Sequence, residues 1–274
     1  MINRLSGFLA TMLVVGYVFL YVPIASLVIY SFNASRLVTV WAGFSLRWYG
    51  EVWRNEAITG AALNSVEIAV TAATGALILG TLAGYGLSRY RVFRGRALFG
   101  ALATAPLVMP EVISGLSLLL LFVGLETTIG WPAGRGIGTI AAAHITLGTA
   151  YVTVVVESRL ASFDRSLEEA ALDLGARPWK VFAVITLPLI APALIAGWLL
   201  AFTLSLDDLV IASFTSGPSS TTLPMEIFSS VRRGVSPQIN ALATLFLVTV
   251  TIIVLIAGQL IYRAPKLEAK AQES

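Results

Sequence analysis

Four carboxylates in this chain lie inside long apolar stretches, where ionised groups are costly. They are Glu67, Glu111, Asp207 and Asp208, and none of those stretches contains a Lys or Arg. A charged side chain at the centre of a membrane span costs about 2.5–3.5 kcal/mol, so we expect these groups to face protein or a water-filled path. Unpaired negative charge along such a path suits a cationic solute or a proton relay.

The chain offers little for covalent or metal chemistry. It has no cysteine, which excludes disulfides and thiolate metal sites, and His144 is its single histidine. The sequence contains no GxxxxGK[ST] phosphate-binding loop. We therefore predict no catalytic residue, no metal site, no cofactor bound by this chain and no nucleic-acid partner. His144 is expected to be a hydrogen-bonded core residue rather than a proton carrier.

The composition is that of an integral membrane protein. Hydrophobic residues make up 57% of the 274 residues and charged residues 12%, whereas soluble domains carry about 25% charged residues. Six stretches have the roughly 20 apolar residues that a helical span needs. We predict an all-α protein with one transmembrane domain over residues 1–274. Its predicted spans are Phe8–Ser31, Leu63–Ser88, Leu98–Val123, Thr139–Val156, Leu189–Thr215 and Ile239–Tyr262.

The distribution of Lys and Arg predicts the orientation of the spans. Twelve of the 18 basic residues lie at the two termini or in the second-to-third and fourth-to-fifth connections, and six lie in the other connections. Cytoplasmic loops carry the excess of Lys and Arg. Both termini are therefore predicted to be cytoplasmic, together with the loop of residues 158–187.

That cytoplasmic loop has the pattern of a short amphipathic helix. Apolar residues recur with helical spacing, and the charged residues occupy the opposite face. The apolar positions are Leu167, Ala170, Ala171 and Leu174, and the charged ones are Arg165, Glu168, Glu169 and Asp173. Such a helix fits a groove of a soluble protein or rests on lipid. Its largely acidic face favours the groove, because anionic lipid attracts basic faces.

The residues around this helix predict where it begins and ends. Ser166 and Glu169 have the spacing of a capping box, and Asp164 is an alternative N-cap. Gly175 is placed to end the helix in the left-handed conformation. Pro178 then predicts the start of a second short helix.

The acids inside the spans are predicted to form a funnel from the outer side to the middle of the membrane. Glu111 is expected near the middle of its span, beside a bend at Pro106 and Pro110, either lining a cavity or hydrogen-bonded within a packing kink. Asp208 shares a stripe with small residues and is the favoured path-facing acid. Asp207 is expected either to contact cargo or to have a structural partner, and Glu67 lies at the outer entrance.

The cytoplasmic loop also resembles that of a known family. Glu169-Ala170-Ala171, three residues, Gly175, nine residues and then Ile185-x-Leu-Pro188 is similar to the loop of the permease subunits of bacterial ABC importers. The segments Ala105–Phe122 and Gly197–Gly217 resemble the polyamine branch of that family.

The resemblance implies the type I ABC importer permease fold, with Glu169, Ala170, Ala171 and Gly175 coupling to an ATPase. It implies a chain in the bacterial inner membrane that works with a second, different permease subunit, two ATP-binding subunits that hold ATP and Mg, and a periplasmic or extracellular binding protein. Polyamines, putrescine first, are the expected cargo. One alternative is an ABC permease for another cationic or small solute, such as spermidine or another amine. The other is an ion-coupled secondary transporter.

Overall fold

The computed structural model describes residues 2–37, 40–90, 92–234 and 236–272, and places side chains for residues 7–255, 258 and 259 within these ranges. In this part of the chain the fold is helical, apart from one isolated antiparallel bridge between Asn33 and Phe44. The helices are α1 Ile2–Ser31, α2 Arg47–Arg54, α3 Glu56–Arg89, α4 Arg96–Thr104, α5 Glu111–Ile129, α6 Ile137–Ala161, α7 Ser166–Asp173, α8 Pro178–Val181, α9 Leu187–Asp207, α10 Val210–Thr215, α11 Leu223–Arg233 and α12 Pro237–Gln272.

Among the described residues, six helical segments are long and apolar enough to cross a membrane, which agrees with the predicted number. Their bounds are Gly7–Ser31, Glu56–Arg89, Glu111–Ile129, Ile137–Ala161, Pro178–Asp207 and Pro237–Leu255. The second and fourth extend beyond the predicted stretches because polar residues continue the helix past the apolar core. The prediction of an all-α membrane fold is therefore confirmed.

The third predicted span is broken near its middle. Instead of one helix over 98–123, α4 ends at Thr104, a single 3₁₀ turn covers Ala105–Leu107, and α5 begins at Glu111. Pro106 and Pro110 explain the break, because a proline ring removes a backbone donor and clashes with the preceding turn. The predicted bend at these prolines is confirmed. Glu111, however, is the first residue of a helix rather than the centre of one.

The fifth predicted span differs from the structure at both ends. The helix begins at Pro178, passes through a π-helical turn at Phe182–Thr186 and continues as α9. In that turn the Leu187 N–H donates to the Phe182 carbonyl. At the other end α9 stops at Asp207, because Asp208 has an extended backbone, and α10 begins at Val210. The prediction of one continuous span from Leu189 to Thr215 was therefore wrong.

The chain divides into two compact units. The first comprises Met1–Thr59 and Glu226–Ile252, and the second comprises Gly60–Met225 and Ile253–Ser274. In the first unit Asn33 is buried and organises the turn after α1, since its Nδ2 donates to the Val40 carbonyl at 2.7 Å. The Trp48 indole N–H in turn donates to the Asn33 carbonyl at 2.6 Å. The expectation of one domain over residues 1–274 stays a prediction.

The core of the second unit forms around α6, which packs along α9. Close approach of α3 depends on small residues, as is usual between membrane helices. A Cβ added at Gly80 would lie 2.6 Å from Val152 Cβ, and one at Gly84 would lie 2.9 Å from the Thr153 carbonyl oxygen. These glycines let the backbones of α3 and α6 approach each other.

Candidate functional site

The breaks in the third and fifth spans border the same cavity. This cavity has a volume of about 350 Å³, within the range of about 300–1,000 Å³ that small-molecule sites occupy. Its lining consists of Pro106, Leu107, Met109, Glu111, Leu147, Tyr151, Leu204, Asp207, Asp208, Leu209 and Val210. Broken helices are tolerated at membrane depth where they line a cavity, which matches this arrangement.

Glu111 and Asp207 are the exposed acids of the cavity. Glu111 is the first residue of α5, where the positive end of the helix dipole favours a carboxylate. Asp207 is the last residue of α9, at the point where that helix stops. The rest of the lining consists of the Tyr151 phenol, the buried Asp208 carboxylate and apolar side chains. Two exposed carboxylates at one cavity can bind ammonium groups.

Asp208 is buried instead, with 9% of its surface exposed. Its Oδ2 lies 3.1 Å from His144 Nε2 and accepts the Ala212 N–H at 2.7 Å, while its Oδ1 accepts the Ile211 N–H at 3.3 Å. The carboxylate thus caps α10 and fills the helix break. The preference for Asp208 over Asp207 as the path-facing acid was therefore wrong, because that preference assumed a continuous helix.

The stripe that contains Asp208 serves helix packing. Its members Gly197, Ala201, Ser205, Asp208, Ala212 and Thr215 are all buried. The small residues allow α6 and α9 to pack closely, and Gly148 of α6 approaches Ala201 so closely that an added Cβ would lie 3.2 Å from the Ala201 Cβ. This stripe of small residues therefore serves close packing of the helices and does not line a path.

His144 is a satisfied core residue, as predicted. Its Nδ1 lies 2.7 Å from Ser205 Oγ, and its Nε2 faces the Asp208 carboxylate. Because an ionised carboxylate only accepts hydrogen bonds, Nε2 donates to Asp208, while Nδ1 and the Ser205 hydroxyl form the second bond. All three residues are buried. The hydrogen bonds of His144 to Ser205 and Asp208 connect α6 to α9 and to the break between α9 and α10.

Glu67 does not join the other acids. It is exposed on α3 and does not line this cavity. Nearby, Asn64 and Ser65 bind the segment that leads into α11. Asn64 Nδ2 donates to the Ser219 and Thr221 carbonyls, and Ser65 Oγ accepts the N–H of Leu223, the first residue of α11. The structure therefore brings together Glu111, Asp207 and Asp208 but leaves the predicted entrance residue apart.

Helix α7 ends as the sequence predicts. Gly175 has a φ of +82°, in the left-handed region that favours glycine. Its N–H donates to the Leu172 carbonyl, and the Ala176 N–H donates to the Ala171 carbonyl. This pair of bonds is a Schellman motif. Pro178 then opens α8, which confirms the predicted second helix.

The start of α7 differs from both predicted N-caps, because Arg165 is the N-cap. Ser166 is the first helical residue rather than the N-cap, and no capping box forms with Glu169. Asp164, the alternative, accepts the Ser166 N–H at 3.0 Å. Hydrogen bonds from Ser166 lower the pKa of the exposed Asp164 carboxyl, because they stabilise its ionised form.

The exposed side of α7 and of the turn after it carries large apolar side chains next to the acids Glu169 and Asp173. Leu167 is 50% exposed and Leu174 89%, and Trp179 of α8 is 68% exposed. Glu169, Ala170 and Gly175 are exposed as well, and Ala171 is half-buried. An exposed apolar surface on a membrane protein's loop indicates a contact with another protein or with lipid. The residues predicted to couple to an ATPase are therefore largely exposed on α7 and at its end.

Glu168 is the residue that the sequence reasoning placed on the wrong face. It is buried, its Oε1 lies 2.8 Å from Arg89 Nη2, and it also accepts the Thr186 hydroxyl at 2.6 Å. Helical periodicity assigned it to solvent with the other charged residues. The one available signal was a basic residue, Arg89, ending the second span on the same predicted side of the membrane.

These features define a class: a multi-pass helical membrane protein with an acid-lined cavity between broken spans and a short, largely exposed helix outside them. The family model described as binding-protein-dependent transport system inner membrane component matches residues 76–265. The chain belongs to this family of membrane permeases.

Similar proteins of known name agree with this assignment. The chain is 64% identical over 254 residues to the putrescine transport system permease protein PotI of Escherichia coli strain K12, covering 93% of this chain and 90% of that protein. It is 42% identical over 265 residues to the spermidine/putrescine transport system permease protein PotC of the same strain, covering 96% of each.

Solved structures share the fold at low sequence identity. A bacterial ABC transporter involved in import of the acidic polysaccharide alginate matches with a TM-score of 0.74 and 18% identity, covering 94% of this chain and 96% of that chain. The MetNI methionine ABC transporter matches with a TM-score of 0.64 and 13% identity, covering 81% of this chain and 99% of that chain. The type I ABC importer permease fold predicted from the loop is confirmed.

Proposed function

We propose that this chain is the permease subunit of an ATP-driven importer and forms half of a path for putrescine. The observation that carries the cargo assignment is the pairing of Glu111 and Asp207 in one cavity without a basic residue in its lining. A diamine carries two ammonium groups at neutral pH, since aliphatic amines titrate near pH 10. The two exposed carboxylates match those two charges, and the apolar side chains of the lining can contact the hydrocarbon spacer.

The relatives support the same cargo. The relative with 64% identity is named as a putrescine permease, and identity at that level extends over 93% of this chain. The relative with 42% identity is named for spermidine as well as putrescine, and this makes spermidine the second candidate. An acidic cavity disfavours anionic cargo.

The proposed assembly contains four further subunits. A second, different permease completes the path, and two ATP-binding subunits dock on the cytoplasmic side and hold ATP and Mg, so that this chain binds no cofactor and hydrolyses no ATP. A binding protein delivers cargo from the periplasm or exterior. In this arrangement both termini and α7 are cytoplasmic, which the excess of Lys and Arg on that side supports.

The docking helix provides the input for movement. Its exposed face, with Leu167, Glu169 and Ala170, occupies a groove of the ATPase, as helix-in-groove contacts do. Closure of the ATPase pair on ATP shifts α7, and the spans then change between inward-open and outward-open states. Gly175 holds α7 and α8 at a fixed turn, so that both move together.

Reconstitution in vesicles tests the proposal. The chain is combined with its proposed permease, ATPase and binding-protein partners, and uptake of labelled putrescine is measured with and without ATP. Unlabelled putrescine is expected to compete more strongly than spermidine. ATP-independent uptake driven by an ion gradient would instead indicate a secondary transporter and overturn the assignment. Omission of the ATPase serves as the control.

A further inference from the structure

The buried ion pair between Arg89 and Glu168 joins four helical elements of the second unit. Arg89 ends α3, and Glu168 lies in the first turn of α7. Their charged atoms are 2.8 Å apart, and the side chains are only 8% and 10% exposed. At this degree of burial the two charges are largely removed from water, so their geometry depends mainly on the surrounding protein.

A second contact connects this pair to the fifth span. The Thr186 hydroxyl donates to the same Glu168 oxygen that receives Arg89, at 2.6 Å. Thr186 is buried and ends the π-helical turn from which α9 continues. A π-helical turn inside a helix often marks a functional position. One carboxylate oxygen therefore holds the docking helix against both the end of α3 and the start of α9.

Two further contacts complete the junction. Arg89 Nη1 reaches the Leu160 carbonyl near the end of α6 at 3.5 Å, and Arg165 Nη2 donates to the Arg89 carbonyl at 3.3 Å. On its remaining side Arg89 borders a cavity of about 450 Å³, which is also lined by Arg96, Glu157 and Phe163. The guanidinium is thus fixed by ionic and hydrogen-bonded partners, with open space beside it.

The side of α7 that faces the spans carries the buried Glu168, and its outward side carries apolar residues such as Leu167 together with the exposed acids Glu169 and Asp173. A partner that binds the outward side of α7 can move the helix only as far as the contacts between α7 and the spans allow. Among the described residues, those attachments are concentrated on Glu168. Rigid elements joined at a small number of buried polar contacts transmit displacement because such contacts have discrete arrangements.

We propose that the Arg89–Glu168 pair, with Thr186, is the joint through which movement of the docking helix reaches α3 and α9. This inference rests on the proposed function, because it assumes that an ATPase moves α7. It assigns Glu168 and Arg89 as positioning residues that act through the spans and do not contact ATPase or cargo. Their loss therefore separates ATP hydrolysis from transport.

Two variants test the joint in the assembled transporter. Glu168→Gln removes the charge but keeps an oxygen for Thr186, and Thr186→Val removes only the arm to α9 with little change of shape. In reconstituted vesicles, uptake of labelled putrescine and hydrolysis of ATP are measured in the same sample. We expect both variants to retain the ATPase subunit and to transport on the order of tenfold less putrescine per ATP, the scale of a typical coupling free energy.

Glu51→Gln is the matched control, since it removes a charge from the Arg47–Glu51 pair, which is 2.7 Å apart but exposed. This control is expected to keep the wild-type ratio of transport to hydrolysis. If Glu168→Gln does not assemble, Thr186→Val decides the question alone. A wild-type ratio in Thr186→Val, or loss of the ATPase from a folded Glu168→Gln chain, would overturn the joint.

A measurement without cargo separates this inference from the proposed function. Hydrogen exchange of the α3 and α9 amides is followed in the complex before and after ATP is added. In the wild type we expect ATP to change exchange in both helices, and in Glu168→Gln the change is confined to α7. If ATP changes the hydrogen exchange of α3 and α9 equally in the wild type and in Glu168→Gln, the proposed joint is wrong, although the proposed import function is not affected. If the wild type neither binds an ATPase nor responds to ATP, the proposed function fails first.

Discussion

Asp208 Oδ2 lies 3.1 Å from His144 Nε2 in the protein interior, whereas Asp207, its neighbour in sequence, is exposed at the cavity that also contains Glu111. The helix break at Asp208 separates the two carboxylates. One stabilises the broken span and the other is available to a solute. Adjacent acids thus have different roles, which makes a paired mutational test possible.

Replacement of Asp208 should reduce stability, and replacement of Asp207 should not. Asp208→Asn keeps a similar shape but weakens the cap on α10 and the bond to His144, which we expect to lower the free energy of unfolding by about 1–3 kcal/mol. Asp207→Asn changes an exposed group and should leave it unchanged. Thermal unfolding of the purified chains in detergent compares the two. Equal loss of stability in both variants would contradict the separation of roles.

Much of this architecture could be predicted from the sequence. Apolar length identified six spans, Pro106 and Pro110 indicated the break before Glu111, and Gly175 indicated the end of α7. Each of these signals is local, because it depends on a backbone property of a residue or on the hydropathy of one segment. Local signals survive packing when no tertiary contact opposes them.

Two features depended on tertiary contacts and could not be predicted in this way. The break at Asp208–Leu209 contains neither glycine nor proline, and it exists because the Asp208 carboxylate replaces the missing backbone partners of α10. Glu168 was assigned to the solvent face because periodicity tells which residues share a face but not what that face contacts. Its partner Arg89 lies 79 residues away in sequence.

Charge reversal at Glu169 should release the ATPase without disturbing the fold. Glu169 is exposed on α7, so Glu169→Lys places a positive charge where the proposed ATPase contact has a negative one. We expect association with the ATPase subunit to weaken at least about tenfold, since like-charge contacts in an interface cost several kcal/mol. Co-purification of the ATPase measures this, with the unfolding temperature of the variant as the control. Normal co-purification together with normal uptake would contradict the docking assignment.

Substitution of Gly175 should damage the loop more than substitution of another glycine. At a φ of +82° an alanine is strained by roughly 1–2 kcal/mol. Gly175→Ala should therefore weaken the turn between α7 and α8, increase proteolysis of this loop and lower uptake. Gly86→Ala in α3 is the control, because an added Cβ meets nothing within 4 Å there. Similar proteolysis of the two variants would show that the turn does not need glycine.

The close contact of α3 with α6 gives a separate stability test. In Gly80→Ala the new Cβ would lie 2.6 Å from Val152 Cβ and 3.0 Å from the Thr149 carbonyl oxygen, so the helices must separate. Overpacking of this kind costs about 1–3 kcal/mol, and the unfolding temperature in detergent should fall. Gly124→Ala in α5 has open space for its Cβ and should unfold like the wild type. An unchanged Gly80→Ala chain would mean that α3 and α6 do not pack as described.

The most direct test of the acid-lined path is ATP-dependent uptake of labelled putrescine by the reconstituted transporter carrying Glu111→Gln and Asp207→Asn together. Each charged hydrogen bond to an ammonium group contributes about 1.5–3 kcal/mol, so uptake at low putrescine concentration should fall at least about tenfold while the ATPase remains bound. Glu67→Gln, which removes an acid outside the cavity, should transport like the wild type. Wild-type uptake by the double variant would contradict the path through Glu111 and Asp207.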